Sequence, residues 1–307
     1  MRLSTVIAGG IVAALCLGVG AVVEGGQVRV NVANFAFSPS SVNLNQGDQV
    51  AWVWVSGTHS VTQGTSCNPA GAIFDSGIGS GQHFAWKSDR TGSVPYFCQV
   101  HCLSGMTGLL NISASGTPVS DFRLTEVRHT AAHTDDFVEI ANVGTAAGNL
   151  GLYRLSVAAG SAVVLPLTDI AVPVGGRVVV HLGLTGANSA TDIFLPATTL
   201  PANGSAALYM PNTVNTNLTA GDMMVDFVEW GAGGQPNEAT AVTEGFWTAG
   251  QFAPSMLDAN SIEFCGLESN RGATFWLGIL TPTPGSNGNC TTPVDPVSWG
   301  LVKSLYR

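Results

Sequence analysis

The segment YFCQVHCLSGMTG, residues 96–108, constrains the fold of this chain more than any other. It places a thiol, an imidazole and a thioether close together, at Cys98, His101 and Met106. Cys98 follows a strand-like run and Met106 precedes another, so we expect a strand, a ligand-bearing loop and a returning strand. A second imidazole, His59, lies upstream in the polar stretch GTHSVT. The fold must therefore bring two separate strand ends together.

One thiolate, two imidazoles and a weak axial thioether are the ligands of a type 1, or blue, copper site. We therefore predict one copper ion bound by His59, Cys98, His101 and Met106. The Cys-x3-Cys formed by Cys98 and Cys102 also resembles the binuclear copper site of terminal oxidases, but that resemblance implies a His at position 106, where Met106 stands. A zinc site built from the two His residues, Cys98 and Cys102 is chemically reasonable but leaves Met106 unused. A β-sandwich with Cys98 oxidised or free, and no metal, is the remaining alternative.

The composition predicts an all-β protein. The chain has 38 Gly and only 10% charged residues. Val, Thr, Ser and Asn recur in short runs that Gly, Pro and Asn separate, which is typical of strands joined by turns. No long stretch has apolar residues at the 3.6-residue helical period, so helices should be few and short. The Trp52-x-Trp54 pair is expected to lie in a core rather than to relay electrons.

The N-terminal segment has the pattern of an export signal. Arg2 precedes an almost wholly apolar run from Val6 to Val23, and small residues near position 21 would suit a signal peptidase. We predict a signal peptide at residues 1–21 and a periplasmic, cell-surface or secreted protein. If the segment is not cleaved, it would instead anchor the chain in a membrane.

Cleavage would remove Cys16 and leave five cysteines, an odd number. Cysteines of exported proteins tend to pair, so two disulfides and one free thiol are the simplest arrangement. The free thiol should be Cys98, because a metal would bind it as the thiolate. The other four would then pair within their own domains, as Cys67–Cys102 and Cys265–Cys290.

With 307 residues the chain is long enough for two cores. We expect a domain at residues 22–116, a second at 117–291 and a short tail at 292–307. The first range holds four acidic and three basic residues, and the second holds fifteen acidic residues and five Arg. No cluster of Lys or Arg suits nucleic acid, so we expect no nucleic-acid partner.

Residues 27–114 resemble the plastocyanin/azurin-type cupredoxins. The resemblance rests on NFAFSPSSVNLNQGDQVAWVW, THSV, FDSG, GQHFAW and the Cys-x2-His-x4-Met spacing of YFCQVHCLSGMTG. It implies a Greek-key β-sandwich and transfers the copper ligands onto His59, Cys98, His101 and Met106.

Three departures from that family pattern affect the surroundings of the site. Val100 replaces the usual Pro before the second His, and its N–H could hydrogen bond to the Cys98 sulfur. Ser60 stands where Asn is common. Cys102 directly after His101 resembles the phytocyanins, in which a disulfide braces the copper loop.

Residues 122–289 resemble the lamin tail domain, an immunoglobulin-like sandwich. The resemblance rests on LTEV, DFVEIANVG, GRVVVHL, MVDFVEWG and the closing FW…TPTPGSNG, and it implies an adhesive, anchoring or spacing role. The two DFVE strings are expected to form two edge-type strands of one sandwich. His129 and His133, followed by Asp135 and Asp136, have metal-compatible types and spacing, although their context also suits a plain loop.

These observations together predict an exported electron carrier. No His-x-His pairs of the kind found in copper enzymes occur, so we expect a protein that is not an enzyme and that exchanges electrons with a partner protein. A copper-binding or copper-handling surface protein, and an adhesion module that copper staples, are the alternatives.

Overall fold

The structure is a computed structural model. It describes residues 26–33, 35–65, 67–81, 83–159, 161–210, 224–257, 260–266, 272–286 and 288. The predicted signal peptide, residues 1–21, and the predicted tail, residues 292–307, lie outside the described residues. Among the described residues, no helix has the length and apolar character needed to cross a membrane.

The prediction of an all-β protein is confirmed. The first half of the described chain forms ten strands: Gln27–Ala33 (β1), Ala36–Ser38 (β2), Ser41–Asn45 (β3), Gln49–Trp54 (β4), Thr58–His59 (β5), Thr62–Gln63 (β6), Gly79–Ser80 (β7), His83–Lys87 (β8), Gly92–Phe97 (β9) and Thr107–Ser113 (β10). A single 3-10 turn, Cys102–Ser104, lies between β9 and β10.

The second half of the described chain contains twelve strands, one short helix and two further 3-10 turns. The strands are Phe122–Arg128 (β11), Asp136–Asn142 (β12), Gly148–Asn149 (β13), Arg154–Ala159 (β14), Ser161–Pro166 (β15), Ala171–Val172 (β16), Arg177–Leu182 (β17), Asp192–Leu195 (β18), Gly204–Tyr209 (β19), Met224–Trp230 (β20), Ser261–Phe264 (β21) and Trp276–Ile279 (β22). The helix is Glu238–Thr243 (α1), and the turns are Leu150–Leu152 and Ala273–Phe275.

Two four-stranded sheets enclose the core of the first half. Their strand orders are β2-β1-β4-β8 and β3-β10-β9-β6, and β5 pairs with β7 in a small ribbon beside them. The pairs β1–β4 and β3–β10 are parallel, and the other pairs in these two sheets are antiparallel. The shared core includes side chains from both sheets, among them Val30, Trp52, Trp54, Tyr96 and Leu110.

Strand β4 is buried on both faces. Its sequence QVAWVW lacks the alternation of polar and apolar residues that a strand with one wet face shows. Trp52 and Trp54 point into the first core, as predicted, whereas Ala51 and Val53 belong to the apolar cluster of the second half. The outer face of the β2-β1-β4-β8 sheet is therefore covered by the rest of the chain.

The second half is also built from two main sheets. One has the order β18-β17-β12-β11-β21-β22 and the other β15-β14-β19-β20, and their facing side chains form one apolar cluster. The expectation of two edge-type DFVE strands is wrong for the first string. Strand β12 is internal because it pairs with both β11 and β17, and it is buried along its whole length. Strand β20 lies at the edge of the other sheet.

Candidate metal centre

The four predicted ligands come from two segments of the first sandwich. His59 ends β5, Cys98 directly follows β9 and Met106 directly precedes β10, with His101 in the turn between them. The turn is closed by its own backbone: His101 N–H donates to Cys98 O (3.1 Å), Met106 N–H to His101 O (3.2 Å) and Cys98 N–H to Met106 O (3.1 Å). The paired strands therefore fix both ends of the ligand-bearing loop.

Three of these side chains form a tight triangle of metal-binding atoms. His59 Nδ1 lies 3.1 Å from His101 Nδ1, and Cys98 Sγ lies 3.8 Å from the first and 3.5 Å from the second. A triangle with these edges has a point about 2 Å from each corner, close to ordinary metal–imidazole and metal–thiolate bond lengths. One ion could thus contact all three atoms, and the residues present fit a copper ion.

The four candidate ligands differ in their exposure to solvent. His59, Cys98 and Met106 are at most 2% exposed, whereas His101 is partly exposed. The sulfur atoms of Cys98 and Met106 are therefore kept from water, and soft sulfur ligands of this kind would favour Cu(I). His101 is the ligand through which the site meets the surface.

The ring of His59 is held in place by its surroundings. It hydrogen bonds to the backbone of Ser56, and Nδ1 faces Cys98 and His101. Burial, and after it the neighbouring His101, lowers the pKa of His59, which favours the neutral imidazole that a metal requires. Gly57 has φ of +80°, and a Cβ there would lie 2.6 Å from His59 Nε2, so the ring needs a glycine at this position.

The Cys98 sulfur receives a backbone hydrogen bond from Ser60, whose N–H lies 3.4 Å from Sγ. The Ser60 hydroxyl in turn accepts from Gln99 N–H at 2.8 Å and lies 3.0 Å from Thr62 Oγ1. Ser60 therefore stands beside the ligands, as expected, and it links the His59 strand to the Cys98 loop.

A polar network behind Ser60 was not anticipated from the sequence. Gln99 Nε2 donates to Thr62 Oγ1 (3.0 Å) and to the Asp75 carboxylate (2.9 and 3.0 Å), and Thr62 also donates to Asp75 (2.9 Å). Asp75 belongs to the FDSG string, which was the only sequence signal. The network ties the residue after Cys98 to a third segment of the sandwich.

Val100 does not make the hydrogen bond to the Cys98 sulfur that its N–H suggested. Among the described residues, no hydrogen bond joins its N–H to Cys98 Sγ, because residues 98–101 form a turn that His101 N–H closes onto Cys98 O. The side chain of Val100 is instead 47% exposed beside His101.

The cysteine pairing in this domain is confirmed. Cys67 and Cys102 form a disulfide, and Cys98 is a free, buried thiol. The bridge ties the turn that follows His101 to the segment containing Cys67. Cys265 is also disulfide-bonded, and Cys290, its predicted partner, lies outside the described residues.

An apolar surface surrounds the partly exposed ligand. Phe35 packs edge-on against the His101 ring with centroids 4.3 Å apart. Phe35 is 59% exposed, and Leu103, beyond Val100, is 95% exposed. Together with His59 and Gly57, Phe35 and Val100 line a depression of about 360 Å³ over the site. We call Phe35, Val100, His101 and Leu103 the ligand face.

Comparison with known proteins places this site in context. Residues 25–113 match the sequence model of the family described as copper binding proteins, plastocyanin/azurin family. No curated protein matches the chain. A mutant plastocyanin of fern is 24% identical, covers 28% of this chain and 100% of its own length, and has a TM-score of 0.25.

Two further solved structures were matched. Pseudoazurin from Methylobacterium extorquens AM1 is 24% identical over 29% of this chain and 76% of its own, with a TM-score of 0.25. A reduced amicyanin mutant is 19% identical over 29% of this chain and 83% of its own, with a TM-score of 0.25. All four predicted ligands lie within the family match, and residues 25–113 are therefore similar to the copper binding proteins of the plastocyanin/azurin family.

Proposed function

We propose that this chain is an exported carrier of single electrons, not an enzyme, with one type 1 copper ion bound by His59, Cys98, His101 and Met106. The observation that carries the proposal is the triangle of two imidazole nitrogens and a free thiol, 3.1 to 3.8 Å apart. Met106 is buried in the same core cluster as Cys98. A bound copper ion would supply reversible one-electron chemistry between Cu(I) and Cu(II).

Rigidity of the ligands supports a carrier. The ligand loop is closed by three backbone hydrogen bonds, and the Cys67–Cys102 disulfide ties down its outer turn. Ligands that cannot move keep one geometry for both oxidation states, so little of the surroundings must rearrange when an electron arrives or leaves.

The ligand face supports exchange of electrons with another protein. His101 reaches the surface there, exposed Phe35 and Val100 line the depression beside it, and exposed Leu103 lies in the turn that follows. Apolar patches of this kind mark sites of protein–protein contact. We propose that a redox partner protein docks on this face. An exported location is supported by the disulfide, which persists in oxidising compartments.

For the second half of the chain we propose a lamin-tail-like spacer or adhesive domain. Its two packed sheets and single apolar cluster fit a structural module. This part of the proposal rests on architecture and on the sequence resemblance, and it assigns no chemistry to that half.

Titration with copper tests the proposed function as an electron carrier. One equivalent of Cu(II) should produce an intense thiolate charge-transfer band in the visible spectrum, and Cys98→Ser should abolish it. Ser104→Ala, an exposed substitution in the same loop, is the matched control and should keep the band. A colourless protein that binds copper tightly would contradict the proposal.

Voltammetry then separates a carrier from a copper-handling protein. A carrier should give a reversible one-electron wave and retain its copper through repeated cycles. Rapid loss of copper on reduction would point to copper delivery or storage instead.

A further inference from the structure

A second cluster of metal-binding side chains lies in the other half of the chain, apart from the copper ligands. The loop from His129 to Asp135 connects β11 to β12, and Asp136 begins β12. The potential ligand atoms of His129, His133 and Asp136 all lie within 4.8 Å of one another. The proposed electron carrier has no use for these three residues.

Within the described residues, one nitrogen of the cluster has no hydrogen-bond partner. His133 Nδ1 lies 2.8 Å from Asp136 Oδ2, and His129 Nδ1 lies 3.9 Å from Asp136 Oδ1. His129 is 8% exposed, and within the described part of the chain its Nδ1 has no hydrogen-bond partner. A buried polar atom with no partner destabilises a fold, so its presence calls for an explanation. A metal ion shared with Asp136 would supply one.

The carboxylate of Asp136 is held in a fixed orientation. It is fully buried, and Oδ1 accepts from Thr130 N–H (2.7 Å) and from Thr130 Oγ1 (3.0 Å). Oδ2 accepts from Leu200 N–H at 2.9 Å. Donors of this kind commonly orient the carboxylate ligands of metal sites. An ion would replace only the His133 contact, because the other donors can stay in place.

We propose that His129, His133 and Asp136 bind a divalent metal ion of the zinc class. Two imidazoles and one carboxylate are a common three-ligand set for Zn²⁺, and water or another molecule takes the fourth position. His133 is 39% exposed in its side chain, so the fourth position would open to solvent on that side. With no sulfur ligand, this site differs chemically from the one at Cys98.

The same domain contains a natural comparison. His181 Nε2 and Asp192 Oδ1 also form a pair, 2.9 Å apart, and His181 stacks flat on Phe194. Neither residue belongs to a group of three metal-binding side chains among the described residues. A His–Asp pair alone is thus a brace in this fold, and the third ligand, His129, is what distinguishes the proposed site.

Zinc stoichiometry tests the proposal in the full chain. Zn²⁺ bound by the metal-free protein is counted by competition with a chromophoric chelator, for the wild type, His129→Gln, His133→Asn and the control His181→Gln. The first two variants should bind one ion fewer than the wild type, and His181→Gln should bind the wild-type number. Asn is chosen at 133 because His133 has φ of +51°, a backbone conformation that Asn tolerates.

To exclude the copper site, the stoichiometry is measured again in proteins that also carry Cys98→Ser. In this background His129→Gln should again reduce the number of bound ions by one. With Co²⁺ as the probe, the ion lost should carry weak d–d bands and no sulfur charge-transfer band. If the copper proposal fails, the number of ions bound at Cys98 changes. The loss of one ion on substitution of His129 should remain, so the two failures can be told apart.

Equal stoichiometry in the wild type, His129→Gln and His133→Asn would overturn the site and leave the cluster as a loop brace. Equal losses in His181→Gln would overturn it as well, because binding would then be unspecific. If circular dichroism shows that His129→Gln is misfolded, the more exposed His133→Asn variant decides the question.

Discussion

Met106 is buried directly before β10, so substitutions there change one donor without altering the exposed turn. In the copper-loaded protein, Met106→Gln should lower the reduction potential, because an amide oxygen is a harder ligand that favours Cu(II). Met106→Leu should raise it, since it removes a donor and admits no oxygen. Voltammetry of the two variants measures both shifts. Shifts of the same sign would show that Met106 does not bind the ion.

Glu229 on β20 gives a pH prediction at the scale of a single residue. Burial raises the pKa of this carboxyl from 4.5 to about 7, although Trp247 Nε1 (2.9 Å) and Gln235 N–H (3.1 Å) donate to it. In the unfolded chain the group ionises near pH 4.5, so the folded state binds the extra proton between pH 4.5 and 7. Stability should therefore be highest below this window and fall as the pH rises through it.

The size of that loss should reach about 3 kcal/mol by pH 8, since each unit of pKa shift corresponds to about 1.4 kcal/mol. Urea unfolding of the wild type and Glu229→Gln, from pH 5 to pH 8, measures it as the pH-dependent difference between the two proteins. Parallel curves for the two proteins would contradict the shift.

The sequence could single out the four candidate metal-binding residues because three of them share one short segment, which fixes their spacing. The Gln99–Asp75–Thr62 network could not, since its members are polar residues from three segments that only the folded sheet brings together. Phe35 was missed as a neighbour of His101 for the same reason.

Among the structural elements, the turn after His101 depends on the Cys67–Cys102 disulfide. The bridge spans 35 residues, and the chain-entropy model gives about 4 kcal/mol for a loop of this size. The Cys67→Ser/Cys102→Ser variant should lose stability of this order in denaturant unfolding. Its copper band should also broaden, because His101 would be less firmly held.

A second variant distinguishes loss of the Cys67–Cys102 bridge from the effect of replacing both cysteine side chains. The single variant Cys67→Ser, which breaks the same bridge and keeps the Cys102 sulfur, should behave as the double variant does, while Cys98 remains available to copper. Unchanged stability in both variants would show that the backbone hydrogen bonds alone fix the turn.

Strand positions could be predicted more fully than strand partners. Runs such as DFVEIAN mark a strand by their composition, yet they do not say which neighbours it has. Strand β12 illustrates this, because it was expected at an edge, whereas it lies inside its sheet and its Glu139 is 1% exposed. Glu139 is accommodated by Arg177 on the adjacent strand β17, by Thr125 and by the N–H of Gly285.

At the scale of the whole molecule, Gln27 joins the two sandwiches. Its Oε1 accepts from Phe122 N–H and from Tyr153 Oη–H, both at 2.9 Å, and its backbone pairs with Ser120. On the neighbouring strand Gln49 Nε2 donates to Met224 O at 3.0 Å. Both glutamines are 4% exposed, so these contacts are sealed from water.

Gln27→Ala should lower the free energy of unfolding by about 2–3 kcal/mol, because it leaves two buried donors without an acceptor. Denaturant unfolding followed by tryptophan fluorescence measures the loss. Gln46→Ala, which removes an exposed hydrogen bond to Asp89 O, is the control and should change stability by less than about 0.5 kcal/mol. Equal effects of the two substitutions would mean that the sandwiches are only loosely joined.

The burial of Ala51 and Val53 in the apolar cluster of the second sandwich has a consequence for how the ligand face meets other molecules. A domain on a flexible linker sweeps through many directions and searches for its partner by diffusion. Here the packed interface between the two sandwiches fixes the orientation of His101 relative to the second sandwich. If that sandwich attaches to another structure, the attachment sets the direction in which the ligand face points, and a molecule that docks on this face must approach along that line.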